Sequence, residues 1–314
     1  MSLQLQIMHQ IIFIINILLA ILSALVAMAF YTLRERKFLG YIQNRKGPNK
    51  PAIIAIAVPI ADAGKLFLKE EKSTTIINLK YYLGAAISIL ILAMLLWPLF
   101  PHSKSLFFIK FSIIYFLCVT SINVYTTFIA GWRSSSKWRL LGALRGVAQT
   151  ISYEVSISLI IICLIIYPLS INIINLSRDQ YMWVIILTMP LIIAWLISIL
   201  AETHRTPFDF AEGESELVSG FNIEYRRSPF ALIFIAEYIN ILFIRLITIS
   251  IISKRYTNTE LLLKTTIISL IFIWARGTIP RLRYDILINL LWKKILPFTL
   301  SWLLFISPVI IFIK

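Results

Sequence analysis

Eight runs of mostly apolar residues, each near the length needed to cross a hydrocarbon layer, recur along this chain and dominate what it can fold into. A helix crossing a ~30 Å core takes about 20 residues. Such runs occupy Ile11 to Leu33, Ile76 to Phe100, Phe111 to Ala130, Val147 to Tyr167, Tyr181 to Leu200, Pro229 to Ile252, Leu261 to Ala275 and Leu290 to Ile313. The seventh is short for a span unless it begins near Asn258 or runs on to Thr278. Hydrophobic residues make up 59% of the 314, more than the half found in soluble domains, and the excess must face lipid. The expectation is an all-α polytopic membrane protein, with residues 1–314 forming one membrane domain and no soluble domain of useful size.

The formal charge of +15 is distributed between the runs and not gathered on one basic face. It therefore reads as a set of topology signals and anchors, and no nucleic-acid partner is expected. Counting those at run ends, 21 Lys and Arg fall on the side reached after runs one, three, five and seven, against 7 on the other. The positive-inside rule then places both termini opposite the compartment of synthesis. The N-terminus carries no basic n-region, cleavage site or Arg-rich leader, so the first run is expected to be a retained span. A mitochondrial protein of this kind would be made within the organelle.

Two connecting segments carry most of the chemistry. Residues 34–75 open with Arg34, Glu35, Arg36 and Lys37, followed by Tyr41, Gln43, Arg45 and the turn Lys46-Gly47-Pro48-Asn49. Part of this is a positive anchor. The same donors suit a lipid-soluble quinone, which needs partners for two ring carbonyls and stabilisation of charge on reduction. From Pro59, the residues Ile60, Ala63, Gly64 and Phe67 share one helical face while Asp62, Lys65 and Lys69 share the other, which predicts an interfacial amphipathic helix. A surface helix filling a gap between spans is the plainer alternative.

Residues 201–228 form an acidic loop. Within it, Glu202, Asp209, Glu212, Glu214, Glu216 and Glu224 are six of the fifteen acids in the chain. Interleaved Phe208, Phe210, Leu217, Val218 and Phe221 should draw some carboxylates inward, where burial and mutual repulsion favour proton uptake. Glu154 and Glu237 lie within apolar runs, about seven and eight residues in, where an ionisable side chain is a functional candidate by default. A protonated glutamate bonded to a neighbouring helix is the structural alternative. Arg245, also within a run, is expected to snorkel toward the opposite surface, with a carboxylate on another helix as the alternative. Cys118 and Cys163 are too few for a four-thiolate cluster, and His9, His102 and His204 are not placed to sandwich a haem.

The strings RERKFLGYIQNRKGPNK, ADAGKLFLKEE, GALRGVAQTISYEVS, AETHRTPFDFAEGESELVSGFNIEY, PFALIFIAEY and PRLRYDILINLLWK together resemble the subunit 1 family of mitochondrial respiratory complex I, in order and over nearly the whole chain. The resemblance implies a core membrane subunit of the proton-translocating NADH:ubiquinone oxidoreductase, in the mitochondrial inner membrane, with ubiquinone as substrate. It implies no redox centre here, and FMN and iron-sulfur clusters only on partner chains. Partners implied are other membrane subunits, the quinone-site subunits of the peripheral arm, and phospholipids. It assigns Glu35, Arg36, Asp62, Lys65 and Phe230 to the quinone entrance or chamber. Glu154, Glu202, Arg205, Asp209, Glu212, Glu214, Glu216, Glu224 and Glu237 would couple quinone reduction to proton pumping. The sequence departs from the family at His204 (usually Asn), Gly146 (usually Ala), Arg226-Arg227-Ser228 (usually small and neutral) and Arg245 (usually neutral). A secondary ion transporter and a structural anchor are the rival classes. No internal repeat supports the first, and the second leaves Glu154 and Glu237 unexplained.

Overall fold

Lipid offers a backbone no hydrogen-bond partner but itself, and helices are the local answer. The computed structural model describes residues 2–50, 53–69, 79–100, 109–133, 137–168, 170–179, 188–211, 213, 220, 225, 227–252 and 258–313. Among these there is no strand. The helices are α1 (Ser2–Ile42), α2 (Val58–Leu68), α3 (Leu79–Leu96), α4 (Ser112–Trp132), α5 (Lys137–Ile166), α6 (Ile173–Asp179), α7 (Met189–Glu202), α8 (Ser228–Ile252), α9 (Asn258–Thr278), α10 (Tyr284–Leu290) and α11 (Leu296–Ile313). A π turn, Leu291–Ile295, joins the last two.

Seven helical segments are long and apolar enough to cross a membrane, and α7 is a shorter apolar helix. Each expected run meets one of them, although residues 76–78 and 181–187 lie outside the described residues. The ends differ informatively. The seventh span covers Asn258–Thr278, which supplies the length that Leu261 to Ala275 lacked. The first helix continues nine residues past Leu33, so Arg34 to Lys37 are helical. The fourth begins ten residues before Val147, at Lys137, because Trp138, Leu140, Leu141 and Leu144 keep the helical repeat going between basic residues. Glu154 therefore lies 17 residues into its helix and not seven.

The centre of the bundle is α8, over half of whose most apolar window is buried, against 17% for α1 at the edge. It is apolar on every side, as a helix surrounded by others should be. α3 packs on it, α4 on α3 and α5 on α4, and α4 and α5 approach so closely that a Cβ at Gly131 would collide with the Ala143 side chain. α2 has Pro59 in its first turn and no buried residue; Ile60, Phe67 and Leu68 are all exposed. The apolar face of this helix is thus left outward from the bundle.

Candidate functional site

The long helices bring charged side chains to the interior at two adjoining places. The first joins α1, α8, α9 and the start of the acidic loop. Glu35 is only 4% exposed, and Arg276, from the last turn of α9, donates a hydrogen bond to its Oε1. Arg205 and the Tyr238 hydroxyl also act on this carboxylate. The Arg205 guanidinium lies 4.5 Å from the centre of the Tyr238 ring, a cation–π contact that fixes it between the loop and α8.

The second place is a cavity of about 60 Å³ bounded by α3, α4, α5, α8 and the loop. Glu202, Glu237, His204, Asn123 and Asn240 line it. Among the described residues, Glu202 Oε2, His204 Nδ1 and Asn240 Oδ1 have no hydrogen-bond partner. Glu154, from α5, is near enough to Glu202 for the two carboxylates to interact. Gln149 ties the two elements together, donating from Nε2 to the Ala201 carbonyl at 2.9 Å and the Phe208 carbonyl at 2.8 Å. Gly146 keeps α5 close to the loop, since a Cβ there would stand 3.3 Å from that of Ala211.

His204 follows the end of α7 with φ of 47°, a left-handed conformation that histidine and asparagine tolerate better than most residues. Burial first, and the Arg205 charge second, lower its imidazole pKa from 6.5 to about 4. It is therefore neutral near pH 7, a state in which one ring nitrogen is able to donate and the other to accept.

The family model for NADH dehydrogenase matches residues 15–307. NADH-ubiquinone oxidoreductase chain 1 of Aedes aegypti is 48% identical over 302 residues, which is 96% of each chain. The chain belongs to the NADH-ubiquinone oxidoreductase chain 1 family. The protein of that name from Anopheles gambiae is 48% identical over 95% of this chain and 96% of its own length. The one from Nycticebus coucang is 41% identical over 96% of this chain and 98% of its own. The resemblance read from six strings is borne out, and this is a polytopic membrane subunit of respiratory complex I.

The residues assigned by family resemblance divide into four sets in this member. Glu35, Arg205, Glu154, Glu202 and Glu237 converge on the two interior places just described. Arg36, Asp62 and Lys65 do not: Arg36 donates to Asp62 at 3.1 Å, but the pair is over half exposed and clasps α1 to α2, while Lys65 is exposed on α2. Phe230 opens α8, half-buried against Phe234 at 4.4 Å. Asp209 is half-buried in the loop. Glu212, Glu214, Glu216 and Glu224 lie outside the described residues.

One expectation is overturned. Arg245 does not snorkel; it is 3% exposed, with its guanidinium 4.4 Å from the Tyr31 ring centre and 4.9 Å from that of Phe272. An arginine reaches back toward the N-terminus of its helix, and here that direction leads into aromatic faces and away from the nearer surface. The pattern of apolar runs also missed Arg276 and Tyr238. The apolar run stops at Ala275, just before Arg276 and three residues short of the helix end at Thr278, and Tyr238 stands beside Glu237 without any polarity that periodicity would register.

Proposed function

We propose that this subunit forms the membrane wall of the ubiquinone chamber and passes the charge change of quinone reduction to the buried carboxylates of the bilayer. The observation that carries the reading is the adjacency of the two interior places. Glu35 and Arg276 lie at one end, Arg205 stands between, and Glu202, Glu154 and Glu237 lie at the other. At an effective dielectric near 20, unit charges 8 Å apart interact by about 2 kcal/mol, more than one pKa unit. A proton gained or lost near Glu35 is therefore felt by its neighbours through Arg205. The cavity of about 60 Å³ has room for a few water molecules and several polar partners for them, which suits proton exchange among Glu202, Glu237 and the neutral His204.

In this reading Arg36, Asp62, Lys65 and Phe230 frame the entrance beside the amphipathic helix. Electrons reach the quinone from NADH through FMN and iron-sulfur clusters on partner subunits, and the chain resides in the mitochondrial inner membrane with both termini toward the intermembrane space. Glu212, Glu214, Glu216 and Glu224 continue the acidic path. Replacing Glu202 by Gln removes the titration and keeps the shape. Complex assembly should persist while quinone-linked proton pumping slows; an unchanged rate and proton-to-electron ratio would refute the role.

A further inference from the structure

A second cavity, of about 420 Å³, opens along the flank of the bundle between α1, α8, α9 and the end of α3. It shares no lining residue with the smaller interior cavity, and it borders the first interior place, whose Glu35 and Arg205 charges act on Arg245. Arg34 and Arg245 line it, and no Asp or Glu is among its lining residues in the described part of the chain. Arg245 is buried, yet its Nε and Nη1 have no hydrogen-bond acceptor among the described residues. The Tyr31 hydroxyl lies beside this guanidinium and interacts with it through charge and a side-chain hydrogen-bond contact. Two guanidinium nitrogens of Arg245 thus stay without an acceptor at the wall of this cavity, a condition that buried polar groups seldom keep.

We propose that this crevice binds one anionic phospholipid, with its phosphate on Arg245, Tyr31 and Arg34 and an acyl chain laid along the groove. The dimensions carry the choice. Arg34 stands where the apolar run of α1 ends, and Arg245 meets α1 one turn deeper, at Tyr31. Arg245 itself belongs to the far half of α8, but its guanidinium reaches back to Tyr31, so both cations face the Arg34 end of the crevice. From Arg34 to Ser23, which also lines the crevice, is 11 residues or ~16 Å of helix, walled by apolar Trp97, Phe100 and Leu246. A volume of 420 Å³ is that of an ordinary ligand pocket. A packed helix about 10 Å across would need roughly 1,300 Å³ over the same length. A quinone head is neutral and brings no charge to two guanidiniums, whereas phosphate oxygens match their planar donor fork. This inference does not rest on the coupling role proposed above.

The test uses the purified complex in its wild-type form. Phosphatidylglycerol with a photoactivatable group in its acyl chain, and phosphatidylcholine labelled in the same way, are cross-linked and mapped by peptide mass spectrometry. The anionic label should appear on residues 23–34 and 262–269, and unlabelled phosphatidylglycerol should compete where phosphatidylcholine, oleate and ubiquinone do not. Arg245→Met, which removes a charge-assisted contact, should lower that labelling about tenfold or more, and Arg245→Lys should lose less. Equal labelling by both lipids, competition by oleate or by quinone, or no label on either peptide because a partner subunit covers the groove would each overturn the proposal. If Arg245→Met fails to assemble, the wild-type competition decides alone.

Discussion

The two ion pairs on α1 are neighbours in sequence and opposites in physics. Glu35 faces the bundle and is nearly inaccessible, whereas Arg36 and Asp62 are both more than half exposed. Removing one partner of a buried pair leaves an uncompensated charge and costs about 3–5 kcal/mol, while an exposed pair contributes about 0–1 kcal/mol. Arg205 remains beside Glu35 and offsets part of the first figure. Arg276→Met should therefore lower the thermal-inactivation temperature of the complex clearly more than Arg36→Met, and equal effects would contradict this assignment of burial. His204 supplies a pH signature. Its folded pKa near 4 lies below the unfolded 6.5, so between these values the unfolded chain binds a proton that the folded one refuses. Stability from this group is full above pH 6.5 and falls as the pH drops toward 4, by about 3 kcal/mol in all. His204→Asn keeps a residue suited to the left-handed backbone and removes the titration. The wild type should lose thermal stability relative to it on acidification from pH 6.5, and parallel pH curves for the two would disprove an enclosed neutral imidazole.

At the scale of helices, one glycine sets how closely α4 and α5 approach. A Cβ at Gly131 would overlap that of Ala143, and forcing extra carbon into a packed interface costs about 1–3 kcal/mol. Gly131→Ala should lower the yield of assembled complex on native gels, and adding Ala143→Gly should restore much of it; no rescue would place the fault elsewhere. This contact was invisible in the sequence, where Gly131 lies just past the apolar run ending at Ala130. The spans themselves were legible because lipid imposes one rule on every residue it touches. Their ends were not, since Arg34 to Ile42 and Lys137 to Gly146 stay helical in water or against protein, where that rule lapses. The site was half legible for the same reason. Carboxylates inside apolar runs, such as Glu154 and Glu237, announce themselves by their cost in lipid. Their long-range partners do not: Arg276 is 241 residues from Glu35, and only the packing of α1 against α9 brings them together. Arg245 was misread because depth along a helix says nothing about which neighbour its side chain meets.

The whole molecule is polarised by its cations. Residues 34–75 alone hold nine Lys and Arg, and they leave α1 at the end where Glu35, Arg276 and the acidic loop gather. Cations on the electrically negative face of an energised membrane are favoured by about 2.3 kcal/mol for each charge moved across 100 mV. In the orientation proposed above, the cation-rich face and the buried site lie on the same side of the bundle, the side on which an electron-delivering arm would have to dock. One spanning helix, α3, separates Lys46 from Lys110, so the two must lie on opposite faces whatever the orientation. A cysteine at Lys46 should react with a membrane-impermeant maleimide only in vesicles that expose the NADH-oxidising side. A cysteine at Lys110 should react only in vesicles of the reverse polarity. Labelling of Lys46→Cys from the reverse side would invert the bundle and set the buried carboxylates facing away from the source of electrons, leaving the coupling role without a route.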